Sequence, residues 1–422
     1  MRFILFFLIA GLFLSAVEAT ALTLEQAIQS ALKNHQRIAQ SAAGADLAET
    51  AVVSARSDFL PGLDLSYSYI NRDQDPFLTG SETSILALTG TLNLFNGMKT
   101  THRYKAARHR SQAAKYQLQA TKADIILATK QAYIETLRAE KSIETAQEGV
   151  DLLARQHRDA QLQFDFGLIA RNDLLRIDVE LSSARQQLLT AQGQLKISRH
   201  RLERTIGRRL NGEQLIESNL NSSVWQENDV DNYQNELLNN RSELSYLRQL
   251  LQANERDRSA SKGTYLPSVD LSLSHEEYGD SLTPGDLPNT VSNDDKLMLS
   301  ARWNLFDGFS SRSAIAADEA RIRATMAELR NTEEELLLQL SIAMQNTLIA
   351  RGKLREARTG VAQAEENYRV TKNRFQQQQA TTVDLLDAQF LLTRARNLEI
   401  SARYDLDLAA AILERILERD TL

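Results

Sequence analysis

The chain contains no cysteine. Disulfide frameworks, thiol catalysis, cysteine zinc sites and an N-terminal lipid on cysteine are therefore excluded. Proline is scarce. Five occur in 422 residues, confined to two windows: Pro61 and Pro76, then Pro267, Pro284 and Pro288. Outside those windows no proline interrupts a helix. Beyond the first two dozen residues there is no uninterrupted apolar run, so no transmembrane helix is expected there. A basic excess is lacking too. The net charge is −6, and Lys and Arg are interspersed with Asp and Glu, which argues against a nucleic-acid partner. There is no nucleophile elbow, no phosphate loop and no HExxH. The six histidines, His35, His102, His109, His157, His200 and His275, lack metal-ligand spacing. His275-Glu276-Glu277, at an expected strand–loop junction, is read as no metal site. Neither an enzyme nor a cofactor is expected.

The first feature that is present is a signal peptide over residues 1–21. Arg2 supplies the positive start, Phe3 to Leu14 the apolar core, and small residues follow. Cleavage after Ala19 or after Ala21 both fit. The apolar core is short of the ~20 residues that span a bilayer, so the chain is expected to be exported.

Two stretches then dominate. Leu92-Asn93-Leu94-Phe95-Asn96-Gly97 opens a segment that runs without proline to Phe164. As one helix, Met98 to Phe164 would be about 100 Å long at ~1.5 Å per residue, far beyond the ~10–14 residues of an ordinary globular helix. Trp303-Asn304-Leu305-Phe306-Asp307-Gly308 opens a second such segment, which reaches Phe375. The likeness extends further. Phe59-Leu60-Pro61-Gly62-Leu63-Asp64-Leu65-Ser66 matches Tyr265-Leu266-Pro267-Ser268-Val269-Asp270-Leu271-Ser272. Asp173-Leu174-Leu175 matches Asp384-Leu385-Leu386, and Leu202-Glu203-Arg204 matches Leu413-Glu414-Arg415. From Asn93/Asn304 to Arg204/Arg415 the spacing between partners stays constant, which marks an internal duplication. Repeat 1 covers 22–206, a connector 207–231, and repeat 2 232–422. Each repeat is expected to run helix (Thr23 to Asp58; Asn232 to Gly263), two strands (61–70 and 84–95; 267–275 and 296–306), long helix (98–164; 309–375) and return helix (173–206; 384–417).

The strand segments alternate. Leu63, Leu65, Tyr67 and Tyr69 interleave with Asp64, Ser66 and Ser68. Leu86, Leu88, Leu92 and Leu94 interleave with Ala87, Thr89, Thr91 and Asn93, and repeat 2 does the same around Leu271 and Leu299. Such segments suit either a half-buried sheet or transmembrane β-strands with an apolar face to lipid. The rods favour the second, because small residues such as Ala139, Ile143, Ala146 and Val150 suit a long helix–helix seam and offer no broad cover for a sheet. Leu65, Leu88, Leu271 and Leu299 are then expected to face lipid. The acidic Asp73, Asp75, Glu82, Asp280, Asp286, Asp294 and Asp295 would line a hydrated outer mouth. Four strands cannot close a barrel, since the smallest spanning barrels have eight, so several chains must combine. A secreted coiled-coil structural protein is the competing reading. It explains the rods but not the four alternating strands.

These residues resemble the TolC family of outer-membrane efflux and secretion channels over nearly the whole mature chain. The most specific motifs are Gly167-Leu168-Ile169-Ala170-Arg171-Asn172-Asp173-Leu174 and Thr382-Val383-Asp384-Leu385-Leu386-Asp387-Ala388. The resemblance implies a mainly α chain with a transmembrane β-barrel. It also implies a homotrimer with a twelve-stranded barrel in outer-membrane lipid and a twelve-helix tube in the periplasm. The helical tips, with Gly167, Leu168, Gln378 and Ala380, would dock a periplasmic adaptor (a membrane fusion protein) and open for an inner-membrane transporter. By the family's motif, Asp384 and Asp387 line the closed mouth, and Asn172 and Asp173 join links that hold it. For Asp173, a plain helix cap is an equal reading; Asp387 lies too deep to cap. Two departures stand out. Gln378 replaces the second tip glycine, and Phe375 and Ala380 stand where some members lock the mouth with tyrosine and arginine. Arg171 is a candidate replacement partner. The short stretch after Leu417 implies a small equatorial girdle. The exported substrate and the transporter type are not legible.

Overall fold

The computed structural model describes residues 21–73, 82–210, 213–217, 229–285 and 292–419. The expected signal peptide up to Thr20, and Asp75, Pro76, Asp286 and Pro288, lie outside the described residues. Among the described residues, no helix is long and apolar enough to cross a membrane.

The elements run β1 (Ala21–Leu22), α1 (Leu24–Asn34), α2 (Gln36–Ser57), β2 (Gly62–Asn71), β3 (Glu82–Phe95), α3 (Lys99–Asp165) and α4 (Arg171–Ile206). There follow β4 (Gln214–Leu215), α5 (Val230–Asn240), α6 (Ser242–Lys262), β5 (Ser268–Gly279), β6 (Asn293–Arg302), α7 (Ser310–Gln376) and α8 (Thr382–Leu417). The rods α3 and α7 have 67 residues each, and the return helices α4 and α8 have 36 each.

The rods are continuous because proline is absent and the seam residues are small. Ala106, Ala113 and Ala120, then Ile125, Ala132 and Ala139, are buried on α3 at seven-residue intervals. That is the spacing of helices packed along a common seam. Each rod starts at a sharp corner, where Gly97-Met98 and Gly308-Phe309 all have positive φ. At Gly97 no side chain fits, because a Cβ would lie 2.2 Å from the Gly263 carbonyl oxygen.

The single helices expected over Thr23–Asp58 and Asn232–Gly263 are each broken in two. His35 and Arg241 take extended backbone at matching places (φ −74°, ψ 125° and φ −64°, ψ 120°). Neither break involves proline or glycine. The Arg241 guanidinium instead donates to the Arg415 and Ile416 carbonyls at the end of α8. The turn after α8 is held by the Glu418 carboxylate, which accepts from the Ser242 N–H and hydroxyl.

Two apolar cores sit at the level of these breaks. One gathers Leu22, Ala27, Tyr133, Ile134, Leu137, Leu202, Ile206, Leu215 and Tyr404. The other gathers Tyr233, Leu237, Leu244, Leu336, Leu340, Met344, Leu413, Ile416 and Leu417. In the first, β1 and β4 pair in parallel, and the Tyr133 hydroxyl lies within hydrogen-bond reach of the Leu22 and Ile216 carbonyls. Burial pushes that hydroxyl up to about 12. Above this level α3 packs between α2 and α6, and α6 packs on α7. Below it α3 packs on α4 and α8, and α8 on α7. The chain therefore has two lateral edges, α2 with α4 on one side and α7 on the other.

Candidate functional site

The four long strands form one antiparallel sheet in the order β2-β3-β5-β6. Its register aligns the alternation of all four strands. Leu65 lies opposite Leu88, Leu92 opposite Leu271, and Leu271 opposite Leu299. One face therefore carries Leu63, Leu65, Tyr67, Leu86, Leu88, Leu92, Leu271, Leu273, Leu297 and Leu299. The other carries Asp64, Ser66, Ser68, Thr89, Thr91, Asp270, Ser272, Ser274 and Ser300. On the apolar face nothing among the described residues covers Leu63 (76% exposed), Leu65 (71%), Leu297 (71%) or Leu299 (66%). Leu88 is exposed as well, and Leu271 is half-buried. An uncovered leucine face of this size is costly in water.

The upper limit of that face runs obliquely. On β2 it extends to Tyr67 and Tyr69. On β5 and β6 it stops sooner, because His275 lies opposite Leu88, and Asp295 opposite His275. Strands tilted to a membrane normal would produce such a slant. At the lower limit, where strands meet rods, Phe59, Phe95, Tyr265, Trp303, Phe306 and Phe309 are exposed. Aromatic residues therefore flank the apolar face at its lower limit and, on β2, at its upper limit.

Several strand boundaries differ from the sequence reading. The strand expected over 296–306 begins earlier, at Asn293, and ends at Arg302. Arg302 pairs with Ser268, and the next hydrogen-bonded rung would need the Leu266 N–H, which donates instead to the Gly263 carbonyl at 3.2 Å. Trp303 leaves the ladder, and its indole N–H donates to the Tyr265 carbonyl at 3.0 Å. The strand expected over 267–275 continues to Gly279, so His275-Glu276-Glu277 lies within β5 and not at a loop junction. Glu82, Asp294 and Asp295, expected in loops, are also strand residues. His275 Nδ1 lies 2.7 Å from Asp295.

At the opposite end of the rods are two helical tips. In repeat 1 the turn passes through Gly167 at φ +71°, and in repeat 2 Gln378 adopts the equivalent φ of 61° itself. The repeat 1 tip is apolar, with Phe166 and Leu168 exposed, whereas repeat 2 offers Gln376 to Gln379 and then Ala380. The Arg374 guanidinium donates to the Gln379 carbonyl across its tip. The tips pack together through Ala160, Phe164, Ile169, Leu174, Ile177 and Leu386.

The acidic pair splits by role. Asp384 sits in a capping box: Thr381 Oγ1 accepts from the Asp384 N–H at 3.2 Å, and the Asp384 carboxylate accepts from the Thr381 N–H and hydroxyl at 2.8 Å. The Thr381 N–H, then the hydroxyl, hold this carboxyl below the usual carboxylate range. Asp387 is exposed one turn further on. In repeat 1 the cap position is Ala170, so α4 has no side-chain cap, and the capping role open to Asp173 is not realised. Arg171 and Asn172 are exposed at the start of α4. Phe375 is half-buried beside the second tip.

Sequence reasoning missed a buried ionic cluster at the equator. The Arg415 guanidinium, 6% exposed, binds Asp124 of α3 and Glu243 of α6, both at 2.7 Å. Lys130 pairs with Glu414 at 2.8 Å beside it, and Arg138 with Asp405 below. The available signal was slight: Arg415 stands between Leu413 and Ile416 in an otherwise apolar run that also holds Glu414.

The family model described as outer membrane efflux protein matches residues 27–208 and again 234–418, one match per repeat. The outer membrane efflux protein BepC of Brucella suis is 21% identical over 408 residues, which are 96% of this chain and 87% of that one. The outer membrane protein TolC of Escherichia coli is 24% identical over 418 residues, covering 94% and 83% respectively. Among solved structures, CusC superposes with a TM-score of 0.84 at 16% identity, covering 93% of this chain and 91% of that one. The uncovered apolar sheet, the paired rods and these matches leave no place for a secreted filament, and the chain belongs to the outer membrane efflux protein family, as an efflux channel of the outer membrane.

Proposed function

We propose that three copies close into one conduit, with twelve strands as a barrel in outer-membrane lipid and twelve helices as a tube through the periplasm. The observation that carries this is a sheet with one leucine face, one hydroxyl face and two unpaired edges, β2 and β6. Lipid tolerates no open edge, and antiparallel order lets β6 of one copy pair with β2 of the next. The helical edges agree. Leu175, Val179, Leu189 and Ile197 lie exposed along one face of α4, and Leu338, Ile342 and Ile349 along one face of α7. Such head-to-tail contacts close into a ring.

Leu65, Leu88, Leu271 and Leu299 then meet lipid. The tips, through Gly167, Leu168, Gln378 and Ala380, meet a periplasmic adaptor that links the channel to an inner-membrane transporter, for export of small molecules or proteins. Asp384 and Asp387, with Asn172 and Asp173, line the closed mouth. Six carboxylates from Asp384 and Asp387 favour cations there by direct Coulomb interaction. Arg171 is their candidate partner, since Phe375 and Ala380 cannot serve.

Native mass measurement in mild detergent is expected to give three chains, and planar bilayers a cation-selective channel of low conductance. Asp384→Asn with Asp387→Asn is expected to remove much of the selectivity, and Arg171→Ala to raise conductance. A stable membrane-inserted single chain would overturn the trimer, and unchanged selectivity in the double variant would overturn the placement of the two aspartates.

A further inference from the structure

Arg176 and Asp387 occupy the same place in the two repeats, and they are opposite in charge. The helices α4 and α8 begin at Arg171 and Thr382 and end at Ile206 and Leu417, so their residues correspond one to one. Their buried faces correspond as well. Leu174, Ile177 and Leu181 are buried on α4, and Leu385, Ala388 and Leu392 on α8. Shared buried positions fix the direction of the remaining side chains on a helix. Arg176 therefore projects from α4 as Asp387 projects from α8, and both are exposed. Among the described residues, neither side chain has a hydrogen bond or an ion pair. One turn nearer the tip the corresponding residues are Asp173 and Asp384, which have the same sign.

We propose that Arg176 belongs to the periplasmic mouth, and that its attraction to Asp387 of the adjacent hairpin draws the return helices together in the closed state. This rests on the trimeric tube proposed above. In that tube α4 and α8 alternate around the axis, and the mouth carries two stacked rings of six side chains. The ring nearer the tips is all acidic, from Asp173 and Asp384. The next ring alternates Arg176 with Asp387. The first ring repels itself, and the second attracts. Beside the candidate partner Arg171, the second ring is a further counterweight to the repulsion of the first, in a chain whose Phe375 and Ala380 supply no charged or hydroxyl group there. The alternating ring also moderates cation selectivity, since three guanidinium groups stand among the carboxylates. Charges facing a water-filled mouth are screened by salt over about 10 Å at 0.1 M and about 3 Å at 1 M, so this closure weakens in concentrated salt.

The test is a charge-reversal cycle on the purified full-length trimer in planar bilayers, with native mass confirming three chains in each variant. Arg176→Glu is expected to raise conductance several-fold and sharpen cation preference. Asp387→Lys is expected to raise conductance and weaken that preference. The double reversal is expected to return conductance to within about twofold of wild type, while Arg176→Gln gives a smaller rise than Arg176→Glu. A double reversal that conducts as much as the two single variants combined would overturn the pairing. If Asp384→Asn with Asp387→Asn changes selectivity while both Arg176 variants behave as wild type, this inference alone falls. If none of these variants changes selectivity or conductance, the mouth assignment falls and takes the inference with it.

Discussion

The return helices α4 and α8 are the same element twice, yet they live in different surroundings. Helix α8 is flanked by α7 and α3, and its upper half buries Tyr404, Ala409, Ala410, Leu413, Arg415, Ile416 and Leu417. Helix α4 packs on α3 and, near its end, on α1. In the matching half it buries Ser198, Leu202 and Ile206. The difference is one of position. Helix α8 is interior within one chain, whereas α4 is an edge. Duplication supplied two equal parts, and their sequences then diverged to suit an inside place and a rim. What α4 leaves open is therefore a guide to what the chain lacks when alone.

Arg204 and Arg415 sharpen the contrast most. They share one repeat position, but Arg204 is exposed and Arg415 is buried between Asp124 and Glu243. Asp124 and Glu243 are partly exposed and Glu243 keeps Arg241 at 2.9 Å, so removing Arg415 loses chiefly its own charge-assisted bonds, at a cost of about 1.5–3 kcal/mol. An exposed substitution away from such features stays within about 0.5 kcal/mol. Arg415→Ala is thus expected to lower the denaturation midpoint of the detergent-solubilised protein sharply, and Arg204→Ala to leave it in place. Similar midpoints for the two would erase the inside-and-rim distinction.

The sheet predicts likeness between the copies in place of contrast. Leu65, Leu88, Leu271 and Leu299 share one face, and Ser66, Thr89, Ser272 and Ser300 the other. Arginine on a lipid-facing midplane site costs ~2–4 kcal/mol. Leu→Arg at any of the first four is expected to reduce the membrane-assembled fraction, and Arg at any of the second four to be tolerated. An effect in one repeat only would show that the copies sit at different depths; equal effects on both faces would remove the barrel.

Most of this architecture was legible because it follows from periodicity. Seven-residue and two-residue patterns are properties of the chain itself, and the absence of proline between Met98 and Phe164 leaves little to decide. The failures came where tertiary contacts govern. The breaks at His35 and Arg241 have no local breaker; the Arg241 side chain is used on the end of α8. The early end of β6 was hidden because its cause, the Leu266 N–H turned to the Gly263 carbonyl, lies at the start of the neighbouring strand. At the tips the motif singled out Asp384 and Asp387, but not that Asp384 is engaged by Thr381 while Asp173 has no such partner. A cap depends on the residue three places earlier, and Ala170 against Thr381 was the available signal.

Acidity offers a milder comparison. Asp407 on α8 corresponds to Lys196 on α4, which is exposed. Burial pushes the Asp407 carboxyl from the ordinary 3.8 up to about 6, with Arg403 opposing and Glu217 reinforcing the rise. The folded chain therefore holds this proton until about pH 6, whereas the unfolded chain releases it near pH 3.8. Stability from this group falls as pH rises through that window. Asp407→Asn is expected to stabilise the protein at pH 7.5 by on the order of 1 kcal/mol after solvent screening, and to do little at pH 4. Lys196→Asn is expected to produce no such slope between pH 4 and 7.5. A gain for Asp407→Asn that is the same at both pH values would mean that Asp407 is not titrating in the window.

The smallest expected effect lies at the tips, where the copies differ by one cap. Ala170 and Thr381 have nearly the same backbone geometry, φ −81°, ψ 157° and φ −87°, ψ 162°. Each is followed three residues later by an aspartate. Only Thr381 has a hydroxyl to accept the N–H of the third helical residue and to donate to its carboxylate. Losing such a cap costs about 1 kcal/mol, so Thr381→Ala is expected to speed amide hydrogen exchange over residues 382–385 by about fivefold. Ala170→Thr places the same hydroxyl at the same angles before Asp173 and is expected to slow exchange over 171–174 by a similar factor. Because the Asp384 carboxyl titrates below the usual range, its contribution is complete above that range and fades as pH falls through its lowered value. The Thr381→Ala effect should accordingly shrink in acid. If Ala170→Thr leaves exchange unchanged in the assembled channel while Thr381→Ala accelerates it, Asp173 is held by a group from a neighbouring chain, and the contrast between the two tips arises from assembly and not from the cap residue.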